Sequence, residues 1–171
     1  MFQIGEKVVC GSKGVCSVEK ITTLDIAGVD KQREYYILKP LYMLASTVYV
    51  PVDMAESSLR SVLSYEKAKE LIARIPDIPL ITIANEKFLE QEYKKCLKTD
   101  LCEEWIRIIK TIFIRMQKRM EAGRKATAVD AKYLKIAQDC LFGELSVSLS
   151  MPRDEVEQYI NQQLETSLYV S

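Results

Sequence analysis

The stretch Ile4–Ile21, IGEKVVCGSKGVCSVEKI, decides how the first part of the chain folds. Lys7 to Cys10 reads as one strand and Val15 to Ile21 as a second, with the corner between them built from Gly11, Ser12, Lys13 and Gly14. Two glycines three residues apart give the backbone positive φ or close approach without a Cβ clash, which a sharp corner between twisted strands requires. Working outward, Gly28 sits in a polar turn (Ala27 to Lys31). Glu34 to Lys39 is rich in Tyr and Ile, and Thr47 to Val52 closes the run as TVYVPV. Short strands of this kind around a tight glycine corner predict a small barrel-like sheet of the SH3 or Tudor type.

Beyond Asp53 the pattern changes from alternating to helical, so the fold class expected is α+β by domain. A small Tudor/SH3-like β barrel over residues 1–54 is followed by a linker, 55–63, and an all-α helical bundle over 64–171. Ser64 is positioned to cap a short helix carrying Ala68, Leu71, Ile72 and Ile75, and Pro76 and Pro79 end it. Asn85 caps the next helix, to about Lys98. Asp100 with Glu103 has capping-box spacing ahead of a long helix. That helix carries Leu101, Trp105, Ile108, Ile109, Ile112, Phe113, Met116 and Met120 at intervals of three and four, the strongest periodic signal in the chain, and Gly123 stops it. Trp105 lies in this stripe and reads as core. Thr127 or Asp130 starts a helix with Tyr133, Leu134, Ala137, Cys140, Leu141, Leu145 and Leu149 inward. A last helix follows Ser150 to Pro152, for five helices in all.

Composition removes several function classes. The chain has no His, so Cys-His and Ser-His catalysis and His-ligated metals are excluded. No phosphate-cradling glycine motif is present: Gly11 to Gly14 leads into a strand rather than a helix. The five cysteines form no CxxC pair and read as small buried hydrophobes. No enzyme, metal or cofactor is indicated. No apolar run is long enough for a membrane span and no signal peptide precedes Gly5, which points to a cytoplasmic protein with no membrane contact.

The net charge is zero but unevenly spread: Lys87 to Lys135 holds thirteen basic residues against seven acidic. From Asp139 onward only Arg153 opposes six carboxylates. A local basic excess is the footprint of a phosphate-facing surface or of an ordinary solvated helix. The candidate phosphate contacts are Lys87, Lys94, Lys95, Arg115, Lys118, Arg119, Arg124 and Lys125, with Lys98 and Lys110 alongside. Packing of the first basic helix's end beside the long helix's exit would join them into one patch.

The ordered set IGEKVV, GxxGV, VEKI, REYYILKPL and TVYVPVD resembles the N-terminal RNA-polymerase-interacting domain of the CarD/CdnL/TRCF family. Tyr133, Leu134, Ala137, Leu141 and the triplet Gly143, Glu144, Leu145 resemble the C-terminal helical domain of that family. The two matches together are similar to a stand-alone CarD-like transcriptional regulator. The resemblance implies a contact with the RNA polymerase β subunit through strands Lys20 to Ile26, Arg33 to Lys39 and Val48 to Val50. The contact residues it implies are Leu24, Arg33, Tyr35 and Tyr49. It also implies that the helical domain reaches promoter DNA and modulates open-complex stability. Family members often place arginines at the positions held here by Leu24 and Tyr49, and a minor-groove tryptophan at that of Asn85. The alternative is a protein–protein adaptor that binds polymerase or another partner without DNA engagement.

Overall fold

The computed structural model describes residues 1–43 and 45–169, and the chain divides into two compact units, Met1–Val62 and Leu63–Ser171. In the first, strands β1 (Lys7–Val9), β2 (Val15–Thr23), β3 (Glu34–Pro40), β4 (Val48–Pro51) and β5 (Arg60–Ser61) form a curled antiparallel half-barrel in the order β4-β3-β2-β1-β5. The expected Tudor-like sheet is therefore present. Its concave core holds Val8, Cys16, Val18, Tyr36, Leu38 and Val50, the inward members of each alternation. Tyr36 is 1% exposed, and its hydroxyl accepts the Phe2 amide at 3.1 Å, which ties the N-terminal arm to the sheet.

The corner forms as the glycines predict. A 3-10 turn, Gly11–Lys13, begins at φ 50°, and Gly14 leaves it at φ 71°, ψ −149°, a region essentially reserved for glycine. The Cys10 amide donates to the Gly14 carbonyl at 3.0 Å and closes the corner. Glu19 sits at a bulge where the β2–β3 register shifts between Val18 and Lys20, adding curl to a long strand.

Residues 55–63, expected as a bare linker, instead complete the sheet unit as far as Val62. Helical turn α1 (Ala55–Ser58) and β5 occupy the stretch, with β5 paired to β1 through Val9 and Arg60. Ala55 and Leu59, four apart, both reach the core at 5% and 6% exposure, and the Leu59 amide donates to the Ala55 carbonyl at 2.8 Å.

The second unit holds the five expected helices: α2 (Tyr65–Ala73), α3 (Leu89–Lys98), α4 (Cys102–Glu121), α5 (Ala128–Leu149) and α6 (Arg153–Tyr169). Ser64 caps α2 by accepting the Lys67 amide at 3.2 Å, and Thr127 caps α5 by accepting that of Asp130 at 3.1 Å. Asn85 does cap, but it opens a 3-10 turn, Glu86–Phe88, that leads into α3. The capping box expected at Asp100 does not form: Asp100 turns the chain with φ 55° and α4 begins after Leu101. Gly123, at φ 72°, ends α4 in a Schellman motif, with Arg124 N to Arg119 O at 2.7 Å and Gly123 N to Met120 O at 2.9 Å. Ser150 ends α5 in the same way at φ 51°, without glycine's freedom.

The core of this unit is the α4 stripe. Trp105 is 1% exposed, and Ile108, Ile109 and Ile112 are fully buried with Leu141, Leu145, Val156 and Ile160. The stripe is core only in its middle: Leu101 and Met120, at its two ends, are 52% and 71% exposed.

Candidate partner-binding surfaces

The strand register decides what the outer face of the sheet presents. Lys20, Ile37 and Tyr49 stand in one row across β2, β3 and β4, and Thr22, Tyr35 and Pro51 in the row two residues along. Alternation therefore puts Tyr35, Ile37 and Tyr49 on the face opposite the buried Tyr36, Leu38 and Val50. Tyr49 is 49% exposed. Arg33 lies one residue before β3 and reaches Asp53 through two bonds, Nε to Oδ1 at 3.1 Å and Nη2 to Oδ2 at 3.0 Å. Its guanidinium is 6.0 Å from the centre of the Tyr35 ring. Leu24 lies one residue beyond β2, whose end at Thr23 is earlier than the expected Ile26. The last pair is Thr23 with Glu34, so Leu24 and Arg33 both lie just beyond the same end of the β2–β3 pairing. Tyr35, Ile37 and Tyr49 thus share the outer face, Arg33 joins them over the Tyr35 ring, and Leu24 lies beyond the strand end. Ile37 escaped the sequence reading, although the period-two count from Tyr35 selects it.

β4 is the outermost strand beyond β3, so one of its edges has no partner among the described strands. An open edge can accept a strand from another chain, with main-chain bonds for affinity and alternate side chains for selectivity.

The basic residues of the helical unit separate into engaged and open groups. Arg115 is committed to the interior: its Nε reaches both oxygens of the fully buried Asp130, at 3.3 and 3.1 Å, and its Nη atoms clamp Glu86 at 2.6 and 3.1 Å. Tyr93 donates its hydroxyl to the same Asp130 at 2.7 Å, and its ring lies 5.3 Å from that of Tyr133, which donates to Glu90 at 2.9 Å. The Arg115 bond holds Glu86 below the usual carboxylate range, and burial pushes the Tyr133 phenol up to about 12, aided by its bond to Glu90. This network joins α3, α4, α5 and the 86–88 turn, so Arg115 is structural rather than open to phosphate. Lys110, which is 4% exposed, is likewise removed: its ammonium caps the Ile75 and Ile78 carbonyls at 2.8 and 2.7 Å, and burial lowers its pKa. Arg119 donates to the Lys125 carbonyl at 2.6 Å and secures the exit of α4. Lys94 and Lys95 pair with Glu90 and Glu92 on α3.

Lys87, Lys118, Arg124 and Lys125 have no acidic partner among the described residues. Their grouping differs from that expected. The end of α3 leads into the start of α4, whose 20 residues span about 30 Å, so Lys94, Lys95 and Lys98 lie far from Lys118 and Lys125. The Glu86 to Arg115 clamp instead brings the turn carrying Lys87 beside the second half of α4.

Glu144, within the Gly143–Leu145 triplet, is also structural. It is fully buried, accepting the Leu63 amide at 3.0 Å on one oxygen and the Cys102 thiol at 3.0 Å on the other. The first residue of the helical unit is thereby tied to α5.

With the sheet and its outer face in view, comparison with known families gives the class. Residues 2–63 match the model of the CarD-like/TRCF RID domain, a transcription-related protein-interaction domain. The N-terminal unit belongs to the CarD-like/TRCF family. No curated protein matches the chain. No helix among the described residues is long and apolar enough to cross a membrane.

Proposed function

We propose that this chain is a bacterial transcription regulator that binds the RNA polymerase β subunit through the outer face and β4 edge of its sheet. On this reading its helical unit modulates open-complex stability at promoter DNA. The observation that carries it is the family match over residues 2–63 together with Tyr35, Ile37, Tyr49 and Arg33 on one exposed face. Holding polymerase through one unit and DNA through the other would favour whichever promoter state offers both contacts. Lys87, Lys118, Arg124 and Lys125 are the DNA contacts proposed, because their charges are open.

The second reading, an adaptor that binds polymerase without DNA, is favoured by the engagement of Arg115, Arg119, Lys94 and Lys95 within the fold. Open-complex lifetime at matched polymerase occupancy separates the two. The triple variant Lys118→Ala, Arg124→Ala, Lys125→Ala shortens the lifetime in the first reading and leaves it unchanged in the second. Removing any one phosphate-binding cation should also flatten the salt dependence of DNA affinity by about one unit.

A further inference from the structure

Arg115 and Arg119 are four apart on α4, hence neighbours on a single face, and each directs its side chain to an adjoining loop. Arg115 clamps both carboxylate oxygens of Glu86 at 2.6 and 3.1 Å, while its Nε is seated on Asp130. Arg119 donates its Nε to the Lys125 carbonyl at 2.6 Å. Each loop held in this way carries an exposed cation at the point of attachment. Lys87 follows Glu86, and Lys125 is itself the acceptor, with Arg124 before it.

The backbone of each loop does not reach as far as these side chains do. In the turn at 86–88, the Asn85 side chain accepts the Lys87 amide at 3.0 Å and the Asn85 carbonyl accepts that of Phe88 at 2.9 Å. Those bonds close the turn on itself, whereas the Glu86 clamp joins it to α4. At the exit of α4 the Schellman bonds end at the Arg124 amide, and the Arg119 side chain carries the hold one residue further, to Lys125. A cation whose backbone is already fixed loses less freedom on meeting a phosphate than one on a loose loop. The planar guanidinium suits this task, because its donors point in set directions and those of an ammonium do not.

We propose that Arg119, and Arg115 acting through Glu86, are positioning residues that hold Lys125 and Lys87 in place for phosphate contact. The proposal rests on the DNA reading given above. It assigns an acidic residue, Glu86, a supporting role at a phosphate-facing surface, the opposite of what charge counting assigns it.

The test titrates the full chain with labelled fork-junction DNA by fluorescence anisotropy over a series of salt concentrations. Glu86→Gln weakens the clamp and leaves the Arg115 bonds to Asp130 in place, and Arg119→Lys keeps the charge but loses the planar fork. Each is combined in turn with Lys87→Ala and with Lys125→Ala. In the parent, either alanine variant should flatten the salt slope by about one unit. In the Glu86→Gln background Lys87→Ala should flatten it by less than about half a unit, with Lys125→Ala keeping its full effect. In the Arg119→Lys background the two should exchange roles. General loosening of the fold would instead lower both contributions alike. Contributions of Lys87 and Lys125 that persist in both backgrounds, or that fall together in either one, overturn the proposal and leave the DNA reading standing. A parent salt slope that neither alanine variant changes removes Lys87 and Lys125 as DNA contacts, and this proposal with them.

Discussion

Replacing Arg115 by Met should destabilise the helical unit far more than any other change at a candidate phosphate-binding residue. Asp130 bears the consequence, since it is completely buried and its remaining side-chain partner is the Tyr93 hydroxyl at 2.7 Å. Stranding a buried carboxylate by removing its cation costs about 3–5 kcal/mol. The outer half of the network is worth much less: Glu86 has 69% of its side chain exposed, and solvent limits such a pair to about 1 kcal/mol. Urea denaturation followed by circular dichroism should therefore give a drop of about 3–5 kcal/mol for Arg115→Met against about 1 kcal/mol or less for Glu86→Gln. Pairing Asp130→Asn with Arg115→Met should recover part of the drop, because no buried charge is then left uncompensated. Similar small effects for both single variants would refute the claim that Asp130 makes Arg115 structural.

Three further outcomes follow from the geometry. Gly14→Val should cost about 1–3 kcal/mol in the sheet unit, because φ 71°, ψ −149° is closed to a β-branched residue; thermal melts of the full chain within error of the parent would contradict this. Ser150→Gly should raise stability by up to about 1 kcal/mol by relieving left-handed strain at the end of α5, read as a shifted urea midpoint at constant slope. Glu86 is held below its ordinary pKa by Arg115, so its contribution is present above that ordinary value of 4.5 and is lost as pH falls through the lowered folded value. Glu86→Gln should accordingly remove part of the acid-induced fall in stability, and equal pH slopes for parent and variant would count against it.

Legibility from sequence followed the range of the interactions. β1 to β4 announced themselves through alternation and Gly11 and Gly14, and Trp105 through a stripe contained within one helix, because these are local periodicities. Residues 55–63 did not: Ala55 and Leu59 stand among Glu56, Ser57, Ser58 and Arg60 without a clear period, and their burial depends on the sheet they close. The sorting of cations was hidden for the same reason. The partners of Arg115 lie 15 and 29 residues away, and those of Lys110 lie 32 and 35 away, so charge counting could not separate bound from open side chains. Asp100 shows the opposite error, a local cap signal overridden by the tight turn between α3 and α4.

The central claim is that the sheet's outer face meets polymerase, and the direct measurement is the affinity of the full chain for core RNA polymerase with Tyr49 intact and as Tyr49→Glu. Tyr49 is half-exposed and makes no contribution to the concave core, so the variant should fold as the parent does. A central aromatic side chain commonly accounts for about 2 kcal/mol or more of binding, so the expected dissociation constant is raised at least about thirtyfold. Parent protein that fails to bind core polymerase, or a folded Tyr49→Glu variant that binds as tightly as the parent, would contradict it.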